Sequence, residues 1–251
     1  MQGTHDTAPA AQRDSFRQRV FAQQQRWISK TLSRPGGFDG QRAVLRAWSK
    51  EGNSLSVSTA YRSYTEGRAL HDVLLQAREA GELSDADFSA DNPDVTLSWS
   101  FVLACVVLLP GGLFLCGQRG SNLAVHPGEW TCMQTEIIEP SDVLMGGMDR
   151  LLTRLVEEEM PCLVGKGSHK YVGLGRWGDT GGWALVSVLD LRDEPDLEHL
   201  LPQLAPDAET QSWGVYDTNV GSGLVGAFGL PSVAAPLHQE LLLSLRNSGA
   251  F

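Results

Sequence analysis

The chain has 251 residues, of which 42% are hydrophobic and 20% are charged. This composition is typical of a folded globular protein and excludes an intrinsically disordered one. The 30 acidic residues outnumber the 20 basic ones, which gives a formal net charge of −10. No run of Lys and Arg breaks the acidic excess. Duplex nucleic acid is therefore not an expected partner, because such a surface repels the phosphate backbone.

The sequence lacks signals for export or membrane insertion. The first 13 residues are polar and contain no apolar core like that of a secretory signal. The most apolar run, 101–109, is shorter than the roughly 20 residues that a helix needs to cross a bilayer. No pair of cysteines has the spacing of a zinc site, and three lie in apolar runs. We expect a cytoplasmic protein that does not contact membranes. The cysteines are Cys105, Cys116, Cys132 and Cys162.

Residues 1–94 are interpreted as an N-terminal extension containing a helix, a hairpin and a second helix. A weak apolar face favours a helix over 14–30. The runs 43–48 and 55–61 flank a four-residue polar link, which is typical of a β-hairpin. Apolar residues recur at helical spacing within 66–80, which predicts the second helix.

Residues 95–251 are interpreted as the main domain. The run 95–109 is apolar on both faces near its end, which predicts a strand covered on both sides. A Pro-Gly-Gly turn then favours a returning strand over 113–119, and 130–138 predicts another strand. Ser141 or Asp142 is a suitable cap for a helix that runs to Met160.

The rest of the chain adds strands and one helix. The order of strands and helices predicts a mixed sheet with helices on both faces. The further predicted elements are strands at 170–173, 183–191 and 213–216, a glycine-rich turn at 173–178, an acidic linker at 195–209 and a closing helix at 237–245.

Three segments carry a recognisable motif. A strand ends at Arg119, the turn His126-Pro127-Gly128-Glu129-Trp130 follows, and a helix ends in Arg154-Leu155-Val156-Glu157-Glu158-Glu159. Together they resemble the Nudix family. The resemblance implies a Nudix-like α/β/α sandwich around a mixed sheet, here with the N-terminal helix and hairpin extension. It also implies hydrolysis of a nucleoside diphosphate-linked substrate, such as a nucleotide sugar, with a divalent metal.

The resemblance assigns roles to the helix end. It implies that Glu158, Glu159 and Arg154 are catalytic, and that both glutamates hold Mg²⁺ or Mn²⁺. Carboxylates one helical turn apart share a face and suit such hard cations. Leu155 stands where the family has its first helix glutamate, so Glu136 and Glu139, just upstream, are the expected replacement ligands.

The sequence shows one more departure from the family motif and several candidates for substrate binding. Gln134-Thr135 stands where the family has Gly-Gly. Four residues are candidates for binding a phosphate-containing small molecule, since guanidinium, imidazole and aromatic groups suit such ligands. The run 173–178 matches the dinucleotide-binding pattern, but no helix follows it to hold a pyrophosphate. The four candidates are Arg119, His126, Arg176 and Trp177.

Two other interpretations remain open. One is a Nudix-fold protein without pyrophosphohydrolase activity, which binds a nucleotide-like ligand or performs metal-free chemistry in a specialised biosynthetic pathway. The other is an assembly partner without a small-molecule site, and a homodimer is compatible with the sequence. In that case Glu157, Glu158 and Glu159 are a solvated helix end, and Arg154 pairs with Glu158 one turn along the helix.

Overall fold

The structure is a computed structural model of the chain. It describes residues 10–33, 39–52, 54–84, 87, 97–123, 126–144, 147–177, 181–207, 209–218, 227–233, 236–237 and 242. The chain divides into two compact units. Unit 1 comprises Met1–Phe101 and Gly175–Ala184, and unit 2 comprises Val102–Leu174 and Leu185–Phe251.

Unit 1 contains the predicted helix, hairpin and second helix. The two strands pair antiparallel, so the hairpin predicted from its polar link is confirmed. The second helix buries Leu70 and Leu74 beside Trp99, as its apolar spacing predicts. The elements are α1 (Ala10–Leu32), β1 (Gln41–Glu51), β2 (Ser54–Ser63) and α2 (Tyr64–Glu79).

A seven-stranded sheet contains the remaining strands. Its order is β5-β4-β3-β8-β7, while β6 pairs with β3 and β9 pairs with β4. Antiparallel ladders coexist with isolated parallel bridges, for example between Thr131 and Leu237. The predicted combination of a mixed sheet with helices is confirmed. The strands are β3 (Ser100–Leu109), β4 (Leu113–Arg119), β5 (Trp130–Thr131), β6 (Gln134–Ile137), β7 (Ser168–Trp177), β8 (Gly182–Asp190) and β9 (Thr210–Asp217).

The central strands are covered on both faces. Every residue of β3 is buried, and so is every residue of β8 except Asp190. The continuous apolar run at 101–109 predicted this, since a strand with one wet face shows alternation instead. β3 turns through Pro110–Gly112 into β4, and the two strands pair antiparallel as predicted.

The single strand predicted over 130–138 is wrong, because two short strands occupy that range. β5 pairs with β4, where Trp130 lies opposite Gln118. β6 pairs instead with β3, where Gln134 lies opposite Cys105. The chain changes partner between the two strands, and no single straight ladder accommodates that change.

The single helix predicted from Ser141 or Asp142 to Met160 is also wrong. The range contains α3 (Pro140–Leu144) and α4 (Met148–Glu159). Gly147 precedes α4 with φ of 75°, a left-handed conformation that cannot continue an α-helix and that glycine adopts readily. The predicted stop at Pro161 is confirmed, since α4 ends at Glu159.

Two smaller predictions also need correction, and a third falls largely outside the described residues. The run 173–178 is not a turn, because β7 continues to Trp177. The predicted linker at 195–209 contains α5 (Leu197–Leu200) and a 3₁₀ turn. Of the closing helix predicted at 237–245, the structure describes residues 237 and 242 alone.

No helix among the described residues is long and apolar enough to span a membrane.

α4 buries one apolar face, and Glu158 and Glu159 follow Leu155 on that face by three and four residues. Leu151, Leu152, Leu155 and Val156 are all buried, and α4 contacts β6. Leu155, which replaces the glutamate that the Nudix resemblance calls for, has no exposed surface. Position 155 is therefore part of the hydrophobic core of unit 2.

We predict that Leu155→Glu destabilises the protein by about 3 kcal/mol or more, because it buries a carboxylate without a cation partner. Leu155→Met is the matched control and costs less than about 1.5 kcal/mol, since it conserves volume and polarity. Urea denaturation of both variants measures the difference. Equal stability of Leu155→Glu and wild type would show that position 155 faces solvent.

Candidate functional site

One small polar pocket of unit 2 brings together two of the predicted site residues, Arg119 and Glu159. Its lining comes from strands β4, β5, β6 and β9, the end of α4, and the loop before β9. The register of β4 on β9 places Arg119 opposite Thr210, which brings distant parts of the chain together. We call it the Arg119 pocket. It is lined by Arg119, Thr131, Met133, Gln134, Thr135, Glu159, Glu209 and Thr210.

Arg119 supplies the positive charge of this pocket from the last position of β4. Its backbone N–H donates to the carbonyl of Glu129 at 2.9 Å, and its carbonyl accepts from Gly128 at 3.1 Å. These bonds fix the strand end against the 126–130 turn. Burial lowers the pKa of Arg119, while Glu209, Glu159 and Glu129 oppose the shift. The guanidinium remains charged at any physiological pH and is a ready partner for an anion.

Glu159, the last residue of α4, has an unusual proton affinity. Burial raises the pKa of its carboxyl from 4.5 to about 7, and the charges of Glu209, Asp207, Glu136 and Glu158 add to the rise. Its position at the helix C-terminus also disfavours a negative charge. Glu159 therefore exchanges a proton near neutral pH, which suits a general acid or base.

Arg154 lies beside the pocket and joins three segments. Its guanidinium donates to both carboxylate oxygens of Asp142 at 3.3 and 3.2 Å, and to the carbonyl of Ile137 at 3.0 Å. It also contacts Glu136 at 3.4 Å, while Glu139 is 4.0 Å away. The alternative pairing of Arg154 with Glu158 is not among the ion pairs of the described residues. Arg154 instead orients the upstream carboxylates.

Glu136 connects the Arg154 contacts with the end of α4. Burial raises the pKa of Glu136, and the neighbouring Glu158 raises it further, while the N–H of Ile137 and the charge of Arg154 oppose the rise. The side chains of Glu136 and Glu158 share a hydrogen bond. Glu136, Glu158 and Glu159 thus influence one another electrostatically.

The remaining predicted residues lie elsewhere. His126 is exposed, and its Nδ1 contacts Glu129 at 3.4 Å outside the pocket lining. Glu139 is exposed at the edge of the Arg154 contacts. Arg176 and Trp177 end β7 in unit 1 and do not line the pocket.

Sequence reasoning missed Asp142 and the loop that carries Asp207 and Glu209. Asp142 was expected only as a helix cap, yet it is buried and carries the main contact of Arg154. Asp207 accepts the N–H groups of Glu209 and Thr210 at 2.6 Å each, and Gly120 donates to the carbonyl of Glu209 at 2.7 Å. No local pattern links this loop to Arg119, because their proximity depends on the pairing of β4 with β9.

The donor set fits a hard divalent cation in its chemistry. Carboxylate oxygens are suitable ligands, and a cation would relieve the repulsion that raises the pKa of Glu159. The positions of these carboxylates do not form a complete metal site. In the part of the chain that the structure describes, no three His, Cys, Asp or Glu side chains meet as a metal-binding group.

Comparisons with known proteins give structural neighbours alone. No family model and no curated protein matches the chain. A mutT/nudix family protein from Listeria innocua is 15% identical with a TM-score of 0.39, covering 60% of this chain and 94% of that one. The MutT protein from Methanosarcina mazei Go1 is 16% identical with a TM-score of 0.33, covering 45% and 73%. The NUDIX domain of Shewanella oneidensis NrtR, crystallised with ADP ribose, is 12% identical with a TM-score of 0.37, covering 69% and 97%.

We predict that Glu159 makes the protein less stable as the pH rises. Its folded-state pKa of about 7 exceeds the ordinary 4.5, so the folded state holds the proton more tightly. The stabilisation that this proton gives to the folded state is complete below pH 4.5 and is lost as the pH rises through 7. Glu159→Gln removes this loss and lowers the difference in unfolding free energy between pH 5 and pH 8 by about 1–3 kcal/mol.

Urea denaturation at both pH values, with EDTA present, measures this difference. Glu157→Gln is the matched control, because Glu157 is exposed on the same helix and makes the same charge change. An unaltered pH dependence in Glu159→Gln would contradict the shifted titration.

We predict that Arg154→Met destabilises the fold by about 2 kcal/mol, since it leaves the buried carboxylate of Asp142 without its cation. Arg154→Lys keeps the charge but loses the forked geometry, so it recovers part of the loss. Thermal unfolding of both variants measures the effect. Wild-type stability in Arg154→Met would mean that Asp142 is satisfied by other groups.

Proposed function

We propose that unit 2 is a noncanonical Nudix-type hydrolase that cleaves a nucleoside diphosphate-linked substrate. The observation that carries the proposal is the presence of Arg119 and Glu159 in one pocket, where Glu159 has a pKa of about 7. One group suits a phosphate oxygen, and the other exchanges protons at neutral pH. The substrate class comes from the residues that resemble the Nudix motif.

The chemistry assigned to these residues is a hydrolysis at phosphorus. A water oxygen bonds to one phosphorus of the diphosphate, the P–O bond to the bridging oxygen breaks, and the leaving phosphate keeps that electron pair. Glu159 accepts the proton that the water loses. Arg119 binds the non-bridging oxygens and stabilises the negative charge that they gain.

We further propose that Glu158 and Glu159, with Glu136 or Glu139, would hold Mg²⁺ or Mn²⁺. A divalent ion supplies charge neutralisation for a diphosphate when it is bound. Arg154 is a positioning residue in this scheme, since its contacts with Asp142 and Glu136 hold the latter carboxylate near the end of α4. His126, Arg176 and Trp177 remain proposals for contacts with the remainder of the substrate. We place this activity in a reducing cytoplasm, in keeping with four free cysteines.

A second candidate function is binding of a phosphate-containing ligand without metal or hydrolysis. The complete burial of Leu155 favours it, because the Nudix metal ligand expected there is replaced by core packing. The failure of three carboxylates to meet, within the described residues, favours it too. Arg119 and a protonated Glu159 would then bind the phosphate, one as a cation and the other as a neutral donor.

We predict that the protein releases phosphate-bearing product from at least one nucleotide sugar or dinucleotide in the presence of Mg²⁺. Glu159→Gln lowers turnover by roughly 100-fold or more, since general-base catalysis contributes 10²–10⁴-fold. A phosphate-release screen with a coupled phosphatase measures turnover, and its panel includes ADP-ribose, the compound bound in the Shewanella oneidensis domain.

Glu157→Gln serves as the control for charge and folding, and it retains full activity. Isothermal titration with Mg²⁺ alone separates the two candidates, because the metal-dependent hydrolase binds Mg²⁺ and the metal-free binder does not. Absence of both turnover and Mg²⁺ affinity would eliminate the hydrolase.

A further inference from the structure

Gln134 begins β6 and lines the Arg119 pocket with its side chain almost wholly buried. Only 6% of the residue is exposed. Its Nε2 has no hydrogen-bond partner among the residues that the structure describes. A buried amide N–H without an acceptor is unfavourable, so natural cores usually pair or exclude such groups.

A glycine of β4 leaves room for this amide. Gly117 lies close to it, and a Cβ placed on Gly117 would come within 2.9 Å of Gln134 Nε2 and 3.0 Å of Thr210 Cγ2. Gly117 is buried within a regular strand, where glycine usually weakens the structure. The close approach of Gln134 gives a physical reason for a glycine there.

The amide is not engaged by the charged groups of the same pocket. Arg119 and Glu159 line it beside Gln134, and Glu209 adds a second carboxylate. Gln134 Nε2 nevertheless forms no hydrogen bond with the carboxylate of Glu159 or of Glu209. A polar donor held in a polar pocket and left without an acceptor is available for a ligand.

We propose that Gln134 is a ligand-positioning residue, whose Nε2–H donates a hydrogen bond to an oxygen of the bound diphosphate. This inference rests on the function proposed above and adds a residue outside the Nudix motif. Arg119 supplies charge without fixing which oxygen it contacts, whereas an amide held by strand β6 fixes one oxygen. The neutral amide of Gln134 also adds no charge that would alter the protonation of the carboxylates in the pocket.

The chemistry of the donor defines the ligand class. An N–H donor selects an oxygen acceptor and rejects a ligand group that presents a donor at the same place. Non-bridging phosphate oxygens are acceptors alone and carry negative charge, which strengthens the bond. The expected ligand therefore presents a phosphate oxygen, and not an ammonium group, to Gln134.

Gln134→Met is the first test, because methionine has a similar length and no hydrogen-bond donor. We expect an unchanged or higher Tm, by roughly 2–4 °C, since the variant removes an unpaired buried donor. We expect the affinity for nucleoside diphosphates to fall roughly 10- to 100-fold, which is the loss of one hydrogen bond to a charged group. The probes are ADP, GDP, CDP and UDP, titrated calorimetrically into the full chain with Mg²⁺ and again with EDTA.

Gly117→Ala is the second test and leaves Gln134 itself intact. The added Cβ pushes the amide away from its position at low cost, because it meets the end of a flexible side chain, and it also requires a small shift of Thr210. This variant should lower the affinity in the same direction as Gln134→Met. Gln134→Glu keeps the shape of the side chain but replaces the donor with a carboxylate, so its affinity should fall further through repulsion of phosphate.

The outcomes separate this inference from the proposed function. Wild-type binding that weakens in Gln134→Met and Gly117→Ala, with stability retained, supports both. Equal binding by wild type and Gln134→Met overturns the role of Gln134 and leaves the proposed function intact. A Tm that drops by several degrees in Gln134→Met, with affinity retained, makes the amide structural and also overturns the role. No binding of any probe by wild type overturns the proposed function together with the inference that rests on it.

Discussion

The site in unit 2 depends on the contact between Arg154 and Asp142. Asp142 is buried, and its carboxylate accepts two N–H groups of the guanidinium and the backbone N–H of Glu139 at 2.8 Å. The same guanidinium reaches the carbonyl of Ile137 at the end of β6. One side chain therefore fixes α3, β6 and α4 relative to one another. Without it, the glutamates at the end of α4 and on β6 would not be held near each other.

This arrangement concentrates negative charge where a fold alone would avoid it. Unit 2 has 17 acidic and 7 basic residues in sequence, while unit 1 has 13 of each. Two of the 7 basic residues, Arg119 and Arg154, serve the site. The negative charge of Glu159 is nevertheless repelled by four other carboxylates. Glu159 also lies at the C-terminal end of a helix, where the helix dipole disfavours a negative charge. Functional sites are where proteins retain such unfavourable interactions, because the shifted pKa is itself useful.

Much of the fold could be predicted because its signals are local. The continuous apolar run at 101–109 gave β3, the polar link after residue 49 gave the hairpin, and the apolar spacing within 66–80 gave α2. The failures also have a common cause. A strand over 130–138 and a helix over 141–160 looked continuous because their apolar patterns continue, yet β5 and β6 have different partners and Gly147 turns left-handed. A pattern of hydrophobicity does not record a change of partner.

The sequence by itself indicated a resemblance of Arg119 and the end of α4 to one motif, since their spacing and residue types are visible in one dimension. It also marked Gln134 as unusual, because a large polar residue stands where the motif has glycine. Only the tertiary structure decided that Leu155 is core, that Asp142 is the partner of Arg154, and that Glu209 joins Arg119 and Glu159. The physical reason is that a pKa, a buried donor or an ion pair depends on neighbours through space. Those neighbours are brought together by the pairing of β4 with β9, which strand propensity does not encode.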